Sequence, residues 1–253
     1  MPEVIAEIGV NHNNSEEILL KLINGAKEAG ADYIKFQRFI SSEEISGKAE
    51  LANYQKKGNS NYINQLEMAK ALEMPDKLLS LGIDTCKKLN VKPLCSPFEL
   101  KSIYHIKNVL KLKEVKVPSP EITNISYLKE IARNFEVIFL STGASFLWEV
   151  GYAIETIYKL SPNAKIILLH CVSEYPAPID SLNLAAMKTL QDAFKLPVGF
   201  SDHSEGYLGS IAALTLGAKV IEKHITLDKN MPGPDHCASA SIEDLKRICD
   251  YSK

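Results

Sequence analysis

The sequence predicts an α/β protein folded as a single (β/α)8 TIM barrel over residues 1–253, and three observations carry that expectation. Eight short apolar, β-branched runs alternate with amphipathic segments, the pattern of βαβ units around a parallel sheet. The chain has 253 residues, close to the ~250 typical of eight such units closed on themselves. No Gly-x-Gly-x-x-Gly turn follows the first run, which removes the main signature of an open dinucleotide-binding sheet.

The predicted strands are residues 4–9, 33–36, 91–96, 114–117, 137–141, 166–170, 198–201 and 220–224. Between the first two, Ser15 is placed to cap a helix, Leu19, Leu22, Ile23 and Ala26 fall on one helical face, and Gly30 sits where a terminating glycine belongs. Between the last two, residues 207–216 predict a helix with Leu208, Ile211, Ala212 and Thr215 inward and a stop at Gly217. The connection 39–90 is too long for a simple βα loop. Its polar stretch, 41–62, precedes the helical pattern of 75–89 and reads equally as a lid over the barrel mouth or as a decorative insertion.

Composition excludes several classes. With 45% apolar and 24% charged residues the chain is neither disordered nor fibrous. Its net charge of −2, without a basic run, argues against a nucleic-acid partner. The opening apolar run is broken by Glu7 and lacks a basic flank, and no apolar stretch approaches ~18 residues, so neither a signal peptide nor a membrane span is expected. Five cysteines without Cys-x-x-Cys spacing argue against a disulfide framework, and point to the cytoplasm and to buried structural thiols.

Barrel active sites form at the C-terminal ends of the strands, so the polar residues falling there are the candidates. Five of the six histidines (His12, His170, His203, His224 and His236) lie at or just beyond strand ends, and only His105 does not. His203 and His224 end adjacent strands that should lie about 4.8 Å apart, close enough for two imidazoles to share one ion with open positions, such as Mn²⁺, Zn²⁺ or Co²⁺. Lys35 and Lys116, with the hydroxyls of Ser96, Ser119, Ser173 and Ser201, supply charge and donors suited to a small phosphorylated anion.

These residues sit in strings that resemble the sialic acid synthase (N-acetylneuraminate synthase) family along nearly the whole chain. The strings are AEIGVNHNN (6–14), DYIKFQRF (32–39), CSPF (95–98), LLHCVSEYPAP (168–178), VGFSDHSEGY (198–207) and IEKHITLDKNMPGPDH (221–236), with NYQ (53–55) and QLEMAKALEM (65–74) between. The resemblance implies a transferase that joins phosphoenolpyruvate to an N-acetylmannosamine-like amino-sugar aldehyde, giving a nonulosonic acid and phosphate. It implies His203 and His224 as ligands of a divalent metal, Mn²⁺ first, with Co²⁺ or Mg²⁺ as the others. Lys35, Ser96, Lys116, Ser119, Ser173 and Ser201 match phosphoenolpyruvate contacts. Gln37, Tyr175 and Asp235 match positions facing the acceptor, and Glu7, Glu121 and Glu222 match acidic positions near the reacting atoms.

Three departures stand out. Family members usually continue into a C-terminal antifreeze-like domain, and this sequence ends at Lys253, so that domain is expected to be absent; a homodimer and a separate antifreeze-like subunit are the partners left open. Pro118 and Pro120 stiffen the loop that presents Ser119 and Glu121. Ser173 stands where some relatives have asparagine. Two other readings remain at this point: a Schiff-base aldolase using Lys35 or Lys116, and a catalytically silent phosphoenolpyruvate-binding barrel.

Overall fold

A computed structural model describes residues 1–51 and 62–253. The eight predicted runs are its eight parallel strands: β1 (Glu3–Gly9), β2 (Tyr33–Arg38), β3 (Lys92–Pro97), β4 (Glu114–Val117), β5 (Val137–Ser141), β6 (Lys165–Cys171), β7 (Val198–Asp202) and β8 (Val220–Thr226). They pair in the order β3-β2-β1-β8-β7-β6-β5-β4, and β3 and β4 lie side by side across the remaining gap, so the barrel is nearly closed. A two-residue strand, β9 (Ala240–Ser241), which the sequence pattern does not announce, pairs with the end of β8. Among the described residues no helix is long and apolar enough to cross a membrane.

The first helix, α1 (Glu16–Ala29), forms as its sequence dictates. The Ser15 side chain accepts from the Ile18 amide, a cap worth about 1 kcal/mol, and Gly30 ends the helix in the left-handed region at φ 96°. Its buried face carries Leu19, Leu22, Ile23 and Ala26, as the spacing predicts. The long connection holds α2 (Ser41–Glu44), α3 (Gln65–Leu72) and α4 (Asp76–Lys88). Residues 52–61 of the predicted lid, with Asn53-Tyr54-Gln55, lie outside the described residues. After β3, β4, β5 and β6 come α5 (Leu100–Asn108), α6 (Ile125–Asn134), α7 (Leu147–Leu160) and α8 (Ala186–Phe194).

The helix between β7 and β8, α9 (Leu208–Thr215), corrects an expectation. Its buried residues are Gly209, Ser210, Ala213 and Leu214, while Leu208, Ala212 and Thr215 face outward. The reason is a polar patch beneath the helix: Ser210 Oγ donates to Asp202 at 2.6 Å, so the small, polar side of the helix is the one that fits the barrel wall. The last helix, α10 (Ile242–Ser252), packs on α1. Four of the five cysteines are buried as expected, but Cys237 is exposed; all are free thiols.

Two apolar cores flank the barrel wall. The larger joins wall and helices, with Ile8, Ile34, Val117 and Leu168 from the strands meeting Leu22, Ile83 and Ile131. The smaller fills the barrel interior at its N-terminal end with Ile5, Tyr33, Leu94, Phe139, Leu169 and Val220. Side chains alternate with a period of two, so two residues further along the same strands the interior becomes Glu7, Lys35, Ser96, Ser141, Cys171 and Glu222. A closed apolar plug thereby supports a polar floor. That floor is where chemistry can occur.

Candidate active site

Above the floor lies a cavity of about 490 Å³, within the size range of small-molecule sites. Of the residues singled out in the sequence, Lys35, Gln37, Ser96, Lys116, Ser119, Ser173, Tyr175, Ser201, His203, Glu222, His224 and Asp235 all line it. They come from different strands and converge because the strand ends do.

Two lysines and two carboxylates form the floor. Lys35 Nζ lies 3.2 Å from Glu7 Oε2, 3.4 Å from Glu222 Oε2 and 3.3 Å from Ser96 Oγ. Burial alone would lower its pKa, but Glu222 and Glu7 outweigh that and hold it above the usual value, so Lys35 is a fixed cation. Lys116 Nζ has looser partners, Val117 O at 3.2 Å and Glu222 Oε1 at 3.8 Å. Burial lowers its pKa, and Glu222 offsets this only in part. Glu222 also accepts from Ser201 Oγ at 2.9 Å; burial would raise its pKa, yet Lys116 and Lys35 bring it down to about 2.

Glu7 behaves differently. It lies beneath the cavity surface, fully buried, and accepts from Gln37 Nε2 at 2.8 Å. Burial pushes it up to about 7, with Lys35 offsetting only part of the cost. The folded chain therefore keeps a proton there that the unfolded chain releases near its ordinary value of 4.5. Stability from this group is fully present below about 4.5 and is lost as pH rises through about 7. Against Glu7→Gln, a neutral isostere, the parent should lose relative stability over that window, on the order of 2 kcal/mol by pH 8. Parallel thermal melts of both proteins from pH 4 to 8 test this, and curves that stay parallel refute it.

Beside Lys116 the ends of β4, β5 and β6 build a cradle. The Gly143 amide donates to Ser119 Oγ at 3.0 Å, and Ser119 Oγ lies 3.2 Å from Cys171 Sγ. A Cβ at Gly143 would stand 2.6 Å from Ser173 Oγ and 2.8 Å from both Cys171 Sγ and Ser119 Oγ, so only glycine leaves this space open. Gly143 and Ser141, at the end of β5, are not among the residues singled out in the sequence. The signal was the Ser-Thr-Gly step itself, since a glycine at a strand end often marks close approach.

Across the cavity stand the two imidazoles, with ring centroids 5.8 Å apart. His203 Nδ1 donates to Val172 O at 2.7 Å, which fixes the tautomer and leaves Nε2 as a lone-pair donor facing Tyr175 OH at 3.0 Å. His224 Nδ1 is buried without a hydrogen-bond partner and lies 3.7 Å from Asp235 Oδ2. Burial lowers His203 to about 4 and holds His224 well below its usual value, while it raises Asp235 to about 6. Neutral imidazoles, one with its second nitrogen anchored and one with an orphaned nitrogen, suit a divalent ion. Among the described residues no group of three or more His, Cys, Asp or Glu side chains is arranged around one metal position.

The other histidines at this end have structural partners. His170 Nε2 meets Leu182 O at 2.8 Å, His12 Nδ1 accepts from the Asn14 amide, and His236 is held between Thr226 and Asn13. Glu121 is not among the residues lining the cavity: Asn124 Nδ2 binds its carboxylate at 2.7 Å, and burial raises its pKa. Glu44, which sequence reasoning passed over, lines the cavity instead. With Ile45, Met68 and Leu72 it forms a wall of the cavity built by α2, α3 and the residue after α2.

The chain resembles known proteins along nearly all of its length. The chain is 49% identical over 247 residues to an N,N′-diacetyllegionaminic acid synthase of Campylobacter jejuni, covering 97% of this chain and 74% of that protein. It is 42% identical to the enzyme of the same name from Legionella pneumophila, covering 97% of this chain and 69% of that one. The crystal structure of an N-acetylneuraminic acid synthetase from Leptospira borgpetersenii superposes with a TM-score of 0.88 at 31% identity, covering 100% of this chain and 83% of that one. The NeuB family model matches residues 22–253, and the chain accordingly belongs to the NeuB family of sialic-type acid synthases.

Proposed function

We propose that this chain condenses phosphoenolpyruvate with the open-chain aldehyde of an N-acetylmannosamine-like amino sugar, forming a nonulosonic acid and inorganic phosphate. The observation that carries this reading is the pairing of two buried lysines, with serine hydroxyls beside them, and two imidazoles of lowered pKa across one cavity. The names of the Campylobacter, Legionella and Leptospira relatives support the product class.

In this reading Lys35 with Ser96, and Lys116 with Ser119, Ser173 and the Gly143 cradle, hold the carboxylate and phosphate of phosphoenolpyruvate. Fixing C3 against the aldehyde carbon is an orientation effect that can lower the barrier by several kcal/mol, up to ~10 in favourable cases. Gln37, Tyr175 and Asp235, which line the same cavity, face the acceptor in this reading. A divalent ion held by His203 and His224, Mn²⁺ first with Co²⁺ or Mg²⁺ as alternatives, would supply Lewis acidity for the aldehyde oxygen. C3 bonds to the aldehyde carbon, and the former carbonyl oxygen takes a proton. Water then adds at C2, and the tetrahedral centre collapses with the bridging oxygen leaving on phosphate. Asp235, raised to about 6 beside His224, and Glu7, raised to about 7 beneath the floor, are the groups able to exchange protons near neutral pH.

Phosphoenolpyruvate carrying ¹⁸O at the bridge tests the assignment. Labelled inorganic phosphate is expected, formed only when an amino-sugar aldehyde and metal are both supplied. Label retained in the organic product would reject the mechanism, and binding without phosphate release from any acceptor would support the silent-barrel reading. One observation favours a Schiff-base aldolase, the lowered pKa of Lys116. Borohydride trapping with pyruvate decides it, since a covalent adduct at Lys116 requires that chemistry.

A further inference from the structure

We infer that Asp202 and Lys223, an ion pair on the outer face of the barrel wall, are positioning residues that set the placement of His203 and His224 across the cavity. The inference rests on the functional reading above.

The geometry begins with register. Ser201 pairs with Glu222 and Asp202 with Lys223 on adjacent rungs of β7 and β8. Alternation sends the first pair into the cavity, where Ser201 Oγ donates to Glu222, and the second outward beneath α9. There Lys223 Nζ lies 3.1 Å from Asp202 Oδ2, with side-chain exposures of 1% and 0%. His203 and His224 are the next residues on the two strands, so the pair sits one residue before each imidazole.

The pair also organises the loop that leaves β7. Asp202 Oδ1 accepts from the Ser204 amide at 2.9 Å and from Ser204 Oγ at 2.6 Å, while Oδ2 accepts from Ser210 Oγ of α9 at 2.6 Å. The Lys223 ammonium donates to the Ser204 carbonyl, tying β8 to that loop. The backbone of His203 is thus held between Asp202 and Ser204, and its carbonyl accepts from the Ala177 amide at 2.9 Å.

A dry ion pair is a poor source of net stability, because desolvation cancels most of the attraction, and apolar replacements are often neutral or stabilising. Nothing in the floor chemistry uses these two charges, which face away from the cavity. What the pair fixes is the alignment of two strand ends and one loop, and each strand end presents one imidazole.

The test removes both charges together, with Asp202→Asn and Lys223→Met, so that neither is left buried alone. The double variant is expected to unfold cooperatively within a few degrees of the parent. Its kcat should fall at least tenfold, with the KM for phosphoenolpyruvate changed less than threefold. Ring ¹⁵N NMR of the metal-free protein should turn the single Nδ1–H tautomer of His203 into a mixture. A folded double variant that keeps kcat within twofold and one His203 tautomer overturns the inference. If the parent releases no phosphate with any acceptor, the functional reading fails, and the tautomer readout still decides the role of the pair.

Discussion

Lys116→Met should raise the KM for phosphoenolpyruvate by roughly 10- to 100-fold while leaving the dependence on acceptor concentration nearly unchanged. An ammonium bonded to an anionic oxygen is worth roughly 1.5–3 kcal/mol, and more when the site is dry, which sets that scale. Lys116 is the cation of the floor with donors to spare, since it meets one carbonyl and a carboxylate oxygen 3.8 Å away. Lys35→Met should show the same loss, with an added stability cost of up to about 3–5 kcal/mol, because Lys35 is the cation between Glu7 and Glu222. Protonation of Glu7, already raised to about 7, absorbs part of that cost. Gly143→Ala reaches the same readout by another route: its methyl group would occupy the cradle among Ser119, Cys171 and Ser173. Steady-state kinetics with each substrate varied in turn measures all three. A wild-type KM for phosphoenolpyruvate in both lysine variants would place the anion elsewhere.

How much of the fold and site is legible in the sequence depends on which side of the wall a residue faces. The strand positions follow from apolar runs, and all eight appear because each run must be buried on both faces of the wall. His203 and His224 were legible as a pair because neighbouring strands bring them together whatever the loops do. His170 looks the same in sequence, but its neighbours Leu169 and Cys171 belong to the interior, so alternation turns its ring outward toward Leu182 and Phe200. The phase of the alternation held that answer, and counting histidines at strand ends did not use it.

Other features depend on tertiary partners that a linear pattern does not carry. Leucine and isoleucine positions suggested the wrong inward face for α9, because the surface it meets is the Asp202 carboxylate, which selects Ser210 and the small residues beside it. Glu121 and Glu44 show the same dependence: Asn124 binds the Glu121 carboxylate, which does not line the cavity, and the short helix after β2 brings Glu44 to it. The role of Gly143 exists only once Ser119, Cys171 and Ser173 converge on it from the turn after β4, the end of β6 and the loop beyond β6.

Removal of divalent metal should abolish phosphate release, and Mn²⁺ or Co²⁺ should restore it, whereas His203→Ala and His224→Ala should stay at least ~100-fold down in kcat under any metal. The magnitude reflects loss of charge stabilisation at the aldehyde oxygen, for which a single well-placed donor is commonly worth ~100–1,000-fold. The two variants should bind phosphoenolpyruvate within about threefold of the parent, because Lys35, Lys116 and the Gly143 cradle approach from other strands. Their affinities for Mn²⁺, read by calorimetric titration without substrate, should both fall. His203→Asn should rescue neither kcat nor metal affinity, since an amide can replace the bond to Val172 O without supplying an imidazole lone pair on the cavity side. Full turnover in excess chelator, or undiminished Mn²⁺ binding by both alanine variants, would remove the metal from this site and leave the imidazoles to act as hydrogen-bonding groups alone.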